Sequence, residues 1–488
     1  MVKDIGCQEE TFGPFKSLTA PICLRYHANA ITQPRKKALF LLVGPGLAVL
    51  VGGLCVAGNL SSEEAFTAGV TTLCAVWWVL EPIPIGATSL LPFALLPLGA
   101  GISHKQVAAA FGNHMLLLLL GGFLLSRAVE KSGAHRRIAL GMVRITGTNP
   151  RRVVLGFMLA SALCSMWISN TATTLMLLPV ALAVVESRED DTFTPALLLG
   201  IAYAASIGGM STPIGTPPNV IFMAAWEQHT GTELSFLTWM FRAVPIVLLI
   251  LPMCWLWLTR KLNAQSETSL ALPPPSPWTA GEKRVLLVFA ATALAWVSRT
   301  LPSIGWGQYL PFVGDSTIAL FSATALFIIR DGDNGSLLDW KTAVAIPWEL
   351  LLLFAGGIAI ASAFQSSGLA LSMGNSLTGL ADQSTLIMIA CIALAVTFMT
   401  ELTSNLATTT LLMPILAAAA TAAEISPDKL MIPATISASC AFMLPVATAP
   451  NAIVYGSGKV TVAQMSKEGL VLNFAAAAII TVLCTALL

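Results

Sequence analysis

Four short polar segments lie inside otherwise apolar runs, and their side chains suit the binding of a hard cation beside an anion. Hydroxyl, amide and freed backbone carbonyl oxygens are the ligands that hard cations prefer, while N–H groups at a helix start attract anions. No Lys or Arg occurs in the segments, so an anion there would depend on neutral donors, helix dipoles and co-bound cations. The segments are Ser169–Asn170 within the run 153–185, Ser404–Asn405 within the run 385–423, and the stretches 211–219 and 445–451.

The two runs that contain Ser-Asn are too long for one membrane span and too short for two. A helix over the 33 residues 153–185 would reach about 50 Å, against a hydrocarbon core of about 30 Å. Two half-depth helices that meet at the polar residues fit better, which predicts re-entrant hairpins at 153–185 and 385–423. Irregular backbone is tolerated at that depth only where protein or a water-filled cavity surrounds it.

The two Pro-containing stretches predict interruptions in membrane-spanning helices. Proline removes backbone hydrogen bonds from a helix, and Gly215 permits unusual backbone angles. We therefore expect broken helices at 195–225 and 431–455. Any one polar segment alone also fits ordinary helix packing through small and hydroxylated residues. Their occurrence in matched pairs favours a binding site.

The composition identifies the framework that positions these segments as a polytopic membrane protein. Of the 488 residues, 56% are apolar and only 10% are charged, and the mean hydropathy is +0.78, whereas soluble chains carry about 25% charge. This excludes a soluble enzyme or a nucleic-acid binder and implies a lipid bilayer as the surroundings. We expect an all-α fold with about 11 transmembrane helices of about 20 residues each. Besides the broken helices, the expected spans are 38–58, 64–80, 85–98, 115–128, 243–258, 285–300, 316–329, 348–364 and 470–488.

Positive charge predicts how the chain is oriented, because cytoplasmic loops carry an excess of Lys and Arg. With the N-terminus cytoplasmic and each hairpin returning to its own side, the C-terminus lies outside. Of 26 Lys and Arg residues, only Lys105, Arg242, Arg299 and Lys429 then lie outside. The sequence thus predicts a multi-pass protein of the plasma membrane, which in a bacterium is the inner membrane.

Matching motifs in the two halves predict an internal repeat. Gly121–Gly122 matches Gly356–Gly357, and 169–174 matches 404–409, both at an offset of 235. Pro218–Asn219 matches Pro450–Asn451 at an offset of 232. Five spans and a hairpin separate equivalent elements, so the halves should be inverted relative to each other, an architecture typical of secondary transporters.

The repeat and the Pro-rich linker define the expected domain organisation. The linker contains Pro273, Pro274, Pro275 and Pro277 and cannot lie in hydrocarbon. The expected parts are a cytoplasmic N-terminal segment (1–37), a first span plus the first repeat (38–258), a cytoplasmic linker (259–284) and the second repeat (285–488).

With its paired Ser-Asn tips and its Gly-Thr-Pro-Pro-Asn and Ala-Pro-Asn interruptions, the chain resembles divalent anion:sodium symporters of the INDY-like type, the carriers of dicarboxylates, citrate or sulfate. The resemblance extends from about Ala38 to the C-terminus. It implies a homodimer, an elevator-type alternating-access mechanism, and sodium ions as co-transported ligands without a further cofactor.

The same resemblance implies roles for individual residues. A first sodium site would use Ser165, Ser169, Asn170 and Gly215, a second would use Thr400, Thr403, Asn405 and Ala447, and the anion would contact Asn170, Thr171, Thr216, Asn405 and Thr448.

Two residues near the second tip need separate interpretation. Leu406 replaces the hydroxyl that Thr171 supplies in the first tip, so Leu406→Thr should add a donor beside an anion that lies between the tips. Glu401 is an ionisable residue at membrane depth, which marks a functional candidate, but it equally fits hydrogen bonding to hairpin backbone.

The favoured function is sodium-coupled symport of a divalent organic anion, such as succinate or citrate. The alternatives are a sodium-independent dicarboxylate exchanger and a sulfate transporter on the same fold. An enzyme is disfavoured, because the spans contain no catalytic pair and no HExxH metal motif.

Overall fold

A computed structural model describes residues 34–186, 192–262, 277–333, 335–376 and 384–488. Within these ranges the regular structure is helical, apart from one isolated antiparallel bridge between Arg330 and Ser336. Most of the predicted N-terminal segment and linker lie outside the described residues.

The described chain up to the linker contains twelve α-helices. They are α1 (Pro34–Ala57), α2 (Ser62–Leu80), α3 (Ile85–Thr88), α4 (Leu91–Gly99), α5 (His104–Ala109), α6 (His114–Ser132), α7 (Ala134–Ile145), α8 (Pro150–Ser165), α9 (Asn170–Glu186), α10 (Phe193–Gly209), α11 (Pro217–Thr230) and α12 (Phe236–Thr259).

Ten more helices follow the linker within the described ranges. They are α13 (Ala280–Arg299), α14 (Asp315–Ile328), α15 (Trp340–Ala343), α16 (Trp348–Ser367), α17 (Leu369–Ser376), α18 (Thr385–Thr400), α19 (Asn405–Ala422), α20 (Asp428–Ala438), α21 (Ala449–Gly456) and α22 (Val462–Leu487).

Six of the described helical segments are long and apolar enough to cross a membrane. They are Ala38–Ala57, His104–Ser132, Phe236–Thr259, Trp348–Ser367, Asn405–Ala422 and Val462–Leu487. Shorter apolar helices make up much of the remainder, as expected where spans are divided. The apolar side chains that face outward, such as Leu42 and Leu248, suit contact with lipid.

One expected span is divided where the sequence predicts continuity. The segment 85–98 forms α3 and α4, with Ser89 and Leu90 between them. Pro92 near the start of α4 has no N–H to continue the hydrogen bonds of α3. The Ser89 hydroxyl instead donates to the Ile85 carbonyl at 2.7 Å and accepts from the Trp78 indole at 3.1 Å.

The two glycine pairs of the repeat lie where helices approach closely. A Cβ on Gly121 would lie 2.6 Å from the Ala319 Cβ, and one on Gly122 would lie 2.8 Å from Ile214 Cγ2. A Cβ on Gly356 would lie 2.9 Å from the Ser89 carbonyl oxygen. These glycines therefore let α6 pack closely against α14 and against the polar stretch 211–219, and let α16 pack closely against the end of α3.

Both predicted hairpin regions are pairs of helices joined by short turns, and both predicted broken helices are interrupted. We call residues 165–171 tip 1, residues 400–406 tip 2, residues 210–216 break 1 and residues 439–448 break 2. Tip 1 joins α8 to α9, and break 1 separates α10 from α11. Tip 2 joins α18 to α19, and break 2 separates α20 from α21.

Helices around the tips and breaks make matching contacts in the two halves of the chain. Helix α11 packs against α19, and its counterpart α21 packs against α9. Helix α10 packs against α21, and its counterpart α20 packs against α11. Each half therefore supplies packing partners for the interrupted helix of the other half.

Candidate functional site

Tip 1 is organised around the side-chain amide of Asn170, the first residue of α9. The fully buried Ser165 hydroxyl donates to Asn170 Oδ1. The Asn170 carbonyl accepts from Thr174 Oγ1 at 2.8 Å, and Ser169 Oγ accepts from the Ala172 N–H at 3.2 Å. Three of the four predicted first-site residues thus lie together, and their oxygens are held in place.

The fourth, Gly215, lies against the same group through break 1. A Cβ on Gly215 would lie 2.5 Å from the Gly209 carbonyl oxygen and 3.0 Å from the Met166 carbonyl oxygen. A Cβ on Gly209 would lie 2.7 Å from Asn170 Oδ1 and 3.2 Å from the Gly215 carbonyl oxygen. Backbone and amide oxygens therefore converge in a volume that a side chain at either glycine would fill.

Gly209 was missed by the sequence reasoning, although it ends α10 directly before break 1. The available signal was the Gly208–Gly209 pair at the end of an otherwise buried apolar helix. Its role depends on proximity to Asn170, and a single sequence gives no measure of that distance.

A buried asparagine clamps each break at matching positions. Asn219 Nδ2 donates to the carbonyl oxygens of Gly209 at 3.1 Å and Thr212 at 2.7 Å. Asn451 Nδ2 donates to the carbonyl oxygens of Ala441 at 3.0 Å and Leu444 at 3.1 Å. Each residue of the first break and its counterpart in the second are 232 positions apart, so equivalent hydrogen bonds hold the two breaks.

Tip 2 repeats the hydroxyl–amide pair of tip 1. The fully buried Thr400 Oγ1 lies 2.7 Å from Asn405 Oδ1 and 2.9 Å from the Ala438 carbonyl oxygen, and it donates to these acceptors. Thr403 Oγ1 donates to the Met399 carbonyl at 2.9 Å and lies 2.6 Å from Thr408 Oγ1.

The predicted second-site residue Ala447 lies in break 2 rather than in the tip. It is 7% exposed, and its N–H donates to the Leu444 carbonyl at 3.3 Å. Thr448 follows and caps α21, since its Oγ1 accepts from the Asn451 N–H at 3.3 Å. The second set is therefore spread over a tip and a break, as the first set is.

The side chain of Glu401 connects tip 2 to break 2. Its Oε1 accepts from the N–H groups of Phe442 at 2.7 Å and Met443 at 2.8 Å, and its Oε2 accepts from Leu444 at 2.9 Å. Asn473 Nδ2 of α22 also donates to Oε1 at 2.7 Å. The expected bonding of the Glu401 side chain to hairpin backbone is therefore corrected, since the backbone that it bonds belongs to break 2.

The five predicted anion contacts differ in accessibility. Thr171 is exposed, Asn170, Asn405 and Thr448 are partly exposed, and Thr216 is buried. Asn170 and Asn405 each begin a helix, and α11 and α21 begin directly after Thr216 and Thr448. Helix N-termini carry a partial positive charge, which stabilises an anion. No hydrogen bond within the described residues joins the Asn170 and Asn405 side chains.

Leu406 requires a correction. Its side chain is 6% exposed and belongs to the apolar core, whereas its counterpart Thr171 is exposed. The expectation that side chain 406 lies beside an anion between the tips is therefore revised. The two tips present different side chains because residue 406 packs inward.

In the part of the chain that the structure describes, no group of three or more His, Cys, Asp or Glu residues could hold a transition metal. Acyl or phosphoryl chemistry likewise has no assembled nucleophile and base at the tips. The tips and breaks instead gather hydroxyl, amide and backbone carbonyl oxygens, the ligand type that hard cations prefer.

Known proteins resemble this chain over most of its length. The family model described as a citrate transporter matches residues 75–428. The sodium-dependent dicarboxylate transporter SdcS of Staphylococcus saprophyticus is 38% identical over 456 residues, which cover 89% of this chain and 88% of that protein. The transporter of the same name from Staphylococcus aureus is 37% identical over 463 residues, which cover 90% of this chain and 89% of that protein.

A solved structure shares the fold. The Alcanivorax borkumensis YdaH transporter superposes with a TM-score of 0.60 at 14% identity, covering 84% of this chain and 97% of that chain. At that identity the likeness concerns the fold alone. The sequence matches extend further: the protein is a multi-pass plasma-membrane transporter and not an enzyme. Its motifs and its relatives together show that the chain belongs to the divalent anion:sodium symporter family.

Proposed function

We propose that this protein is a secondary active transporter that couples sodium entry to uptake of a divalent organic anion, a C4-dicarboxylate such as succinate, or citrate. One observation carries the proposal: two matched sets of neutral oxygens, each built from a hairpin tip and a helix break, without Lys or Arg in either set. The relatives named as sodium-dependent dicarboxylate transporters support both the cation and the anion.

We assign the first sodium site to tip 1 and break 1, and the second to tip 2 and break 2. The buried Ser165–Asn170 and Thr400–Asn405 contacts support this, because each fixes the orientation of an amide oxygen within its tip. The proposed sodium ligands are Ser165, Ser169, Asn170 and Gly215 in the first site and Thr400, Thr403, Asn405 and Ala447 in the second.

We place the anion between the two sodium sites. Helix N-termini and neutral donors would hold it, so sodium occupancy would supply the positive charge that the protein itself does not. The proposed anion contacts are Asn170, Thr171, Thr216, Asn405 and Thr448. Thr171 supports the placement best, because it is the most exposed residue of the set.

We further propose the inverted-repeat topology with 11 spans, two re-entrant hairpins, a cytoplasmic N-terminus and an external C-terminus. Contacts between helix ends support it. His229 Nε2 lies 3.0 Å from Thr421 Oγ1, and His114 Nε2 lies 3.2 Å from Glu227 Oε2. This topology places all four residues on the outer side.

The elevator mechanism and the homodimer come from the family resemblance. The packing of α9, α10, α11, α19, α20 and α21 against one another supports movement of the tips and breaks as one body. The remaining helices would then form the stationary part and the contact with a second copy.

Uptake into proteoliposomes tests the proposed function. Labelled succinate, citrate and sulfate would each be offered in sodium, lithium and choline media at equal ionic strength. We expect uptake of succinate or citrate in sodium and little uptake in choline. Equal uptake in choline would identify an exchanger, and preference for sulfate would identify a sulfate transporter on the same fold.

A further inference from the structure

Tip and break are hydrogen-bonded in both halves, with the break donating and the tip accepting, but the chemical groups that form the bond differ. In the first half, Thr212 Oγ1 of break 1 donates to the Met166 carbonyl of tip 1. The counterpart of Met166 is Glu401, and the counterpart of Thr212 is Leu444. In the second half the Glu401 carboxylate accepts from the Leu444 N–H at 2.9 Å. Equivalent positions are therefore joined, by a neutral hydroxyl in one half and by a carboxylate in the other.

Within the described residues, each hydrogen bond to the Glu401 carboxylate comes from an N–H donor. Three are backbone groups of break 2 and the fourth is the Asn473 amide. The residue is only 3% exposed. A protonated carboxyl would need an acceptor for its O–H, whereas an ionised carboxylate only accepts. The surroundings are therefore built for a buried negative charge.

The first half needs no such acceptor, because the backbone of break 1 turns differently. The Met210 N–H donates to the Ile207 carbonyl at 3.3 Å, and the Ser211 N–H donates to the Gly208 carbonyl at 3.0 Å. In break 2, the amides of the counterparts Phe442 and Met443 point to Glu401 instead. Without the carboxylate, these buried amides would lose their acceptors, which is costly.

We propose that Glu401 is a positioning residue that fixes break 2 against tip 2 and makes the second sodium site the stronger one. It directly follows Thr400, and it holds Leu444, whose carbonyl bonds to Ala447. An opposite charge nearby favours a bound cation, and the effect is large where water is excluded. Tip 1 has Met166 at this position, so its site lacks that charge. This inference rests on the proposed sodium sites.

Two measurements on purified full-length protein test the inference separately from transport. Hydrogen exchange, followed by mass spectrometry, reports whether the backbone amides of 442–444 are protected by hydrogen bonds. Thermal stabilisation in mixtures of sodium chloride and choline chloride at constant ionic strength gives the sodium concentration for half-saturation without any anion substrate. The variants are Glu401→Gln and Glu401→Asp. The control is Thr397→Val, a near-isosteric change at a buried hydroxyl one turn before Glu401.

We expect Glu401→Gln to speed exchange at 442–444 by at least tenfold and to raise the half-saturating sodium concentration by at least tenfold. Glu401→Asp keeps the charge and shortens the reach, so exchange should still speed up while half-saturation stays within about threefold of the native value. Thr397→Val should change neither. If Glu401→Gln cannot be purified in folded form, the Asp variant still tests the inference: unchanged exchange at 442–444, or a rise of tenfold or more in the half-saturating sodium concentration although the charge is kept, would overturn it.

Three results would overturn the inference. Unchanged exchange at 442–444 in the Gln variant would show that Glu401 does not fix break 2 against tip 2. Faster exchange with unchanged sodium half-saturation would leave Glu401 with a purely structural role. An equal rise in the Asp and Gln variants would show that charge is not the cause. Native protein that sodium does not stabilise over choline would instead count against the proposed function, while the exchange measurement would still test the tie.

Discussion

At the scale of single residues, the paired asparagines Asn170 and Asn405 organise the proposed site. Each side-chain oxygen accepts from a buried hydroxyl of the preceding helix, from Ser165 in one tip and from Thr400 in the other. The amide therefore has a fixed orientation before any ligand arrives. Such preorganisation lowers the cost of binding.

Replacing either asparagine should abolish transport. In Asn170→Ala or Asn405→Ala, an amide assigned to both sodium and anion is lost, and each hydrogen bond to a charged group contributes about 1.5–3 kcal/mol. We expect uptake to fall at least about a hundredfold, with near-normal expression because both residues are partly exposed. Thr324→Ala, an exposed hydroxyl on α14, is the control. Native uptake in either well-expressed variant would contradict the assignment.

Residues Thr171 and Leu406 should respond differently despite their equivalent positions. Thr171→Val removes an exposed hydroxyl, and we expect the anion affinity to fall about tenfold or more. Leu406→Thr places a hydroxyl in the apolar core and should lower thermal stability by roughly 1–3 kcal/mol without improving affinity. Competition against one labelled anion and a thermal melt measure both effects. A tenfold change in the relative preference among anions in Leu406→Thr would show that residue 406 does lie beside the anion.

The sequence predicted which residues form the tips and breaks better than it predicted the groups to which they hydrogen-bond. The Ser-Asn and Pro-Asn motifs could be recognised because polar residues interrupt apolar runs there. Each motif occurs once in each half of the chain, which marked the four as related. The three backbone partners of Glu401 lie 41–43 residues further along the chain, and Asn473 lies 72 residues further. Which backbone amides break 2 leaves free depends on its local turns, and one sequence does not reveal them. The inward packing of Leu406 was hidden for the same reason.

At the scale of elements, the breaks were predictable because proline and polar residues together interrupt apolar runs there. A proline alone is not sufficient, since Pro179 and Pro414 lie inside α9 and α19. The expected interruptions agree with the structure, since α10 ends at Gly209 and α11 begins at Pro217. The division of 85–98 into two helices was missed, although Pro92 was the available signal. A proline early in a span interrupts the backbone hydrogen bonds without introducing polar side chains, so the apolar run looked continuous.

The close approach of break 1 to tip 1 predicts a steric effect on sodium binding. A Cβ at Gly209 would lie 2.7 Å from Asn170 Oδ1, closer than atoms can approach without displacement. We expect Gly209→Ala to raise the sodium concentration for half-maximal uptake by about tenfold or more. Gly53→Ala is the matched control, because nothing lies within 4 Å of the added methyl group. Equal sodium dependence in the two variants would place the first cation site elsewhere.

At the scale of the whole molecule, the proposed function predicts coupling between sodium and anion. Because no fixed positive side chain lies in the polar segments, sodium should be required for tight anion binding. Coupling between two ligands is reciprocal and typically amounts to 1–3 kcal/mol, about 5- to 150-fold in affinity. Equilibrium binding of the preferred anion in sodium and in choline measures one direction, and sodium titration with and without anion measures the other. Identical anion affinity in both salts would end the symporter proposal.

The exchange of packing partners between the halves has a consequence for how the protein is made. Helix α11 leaves the ribosome long before α19, against which it packs; roughly 175 residues separate Thr230 from Asn405. At 5–20 residues per second, that interval lasts about 10–35 s. During it, the interrupted helix of the first half has reached the membrane without the helices that will cover it. Nascent chains should therefore depend on insertion chaperones through this interval, and a first half synthesised alone should be degraded unless the second half is supplied in the same cell.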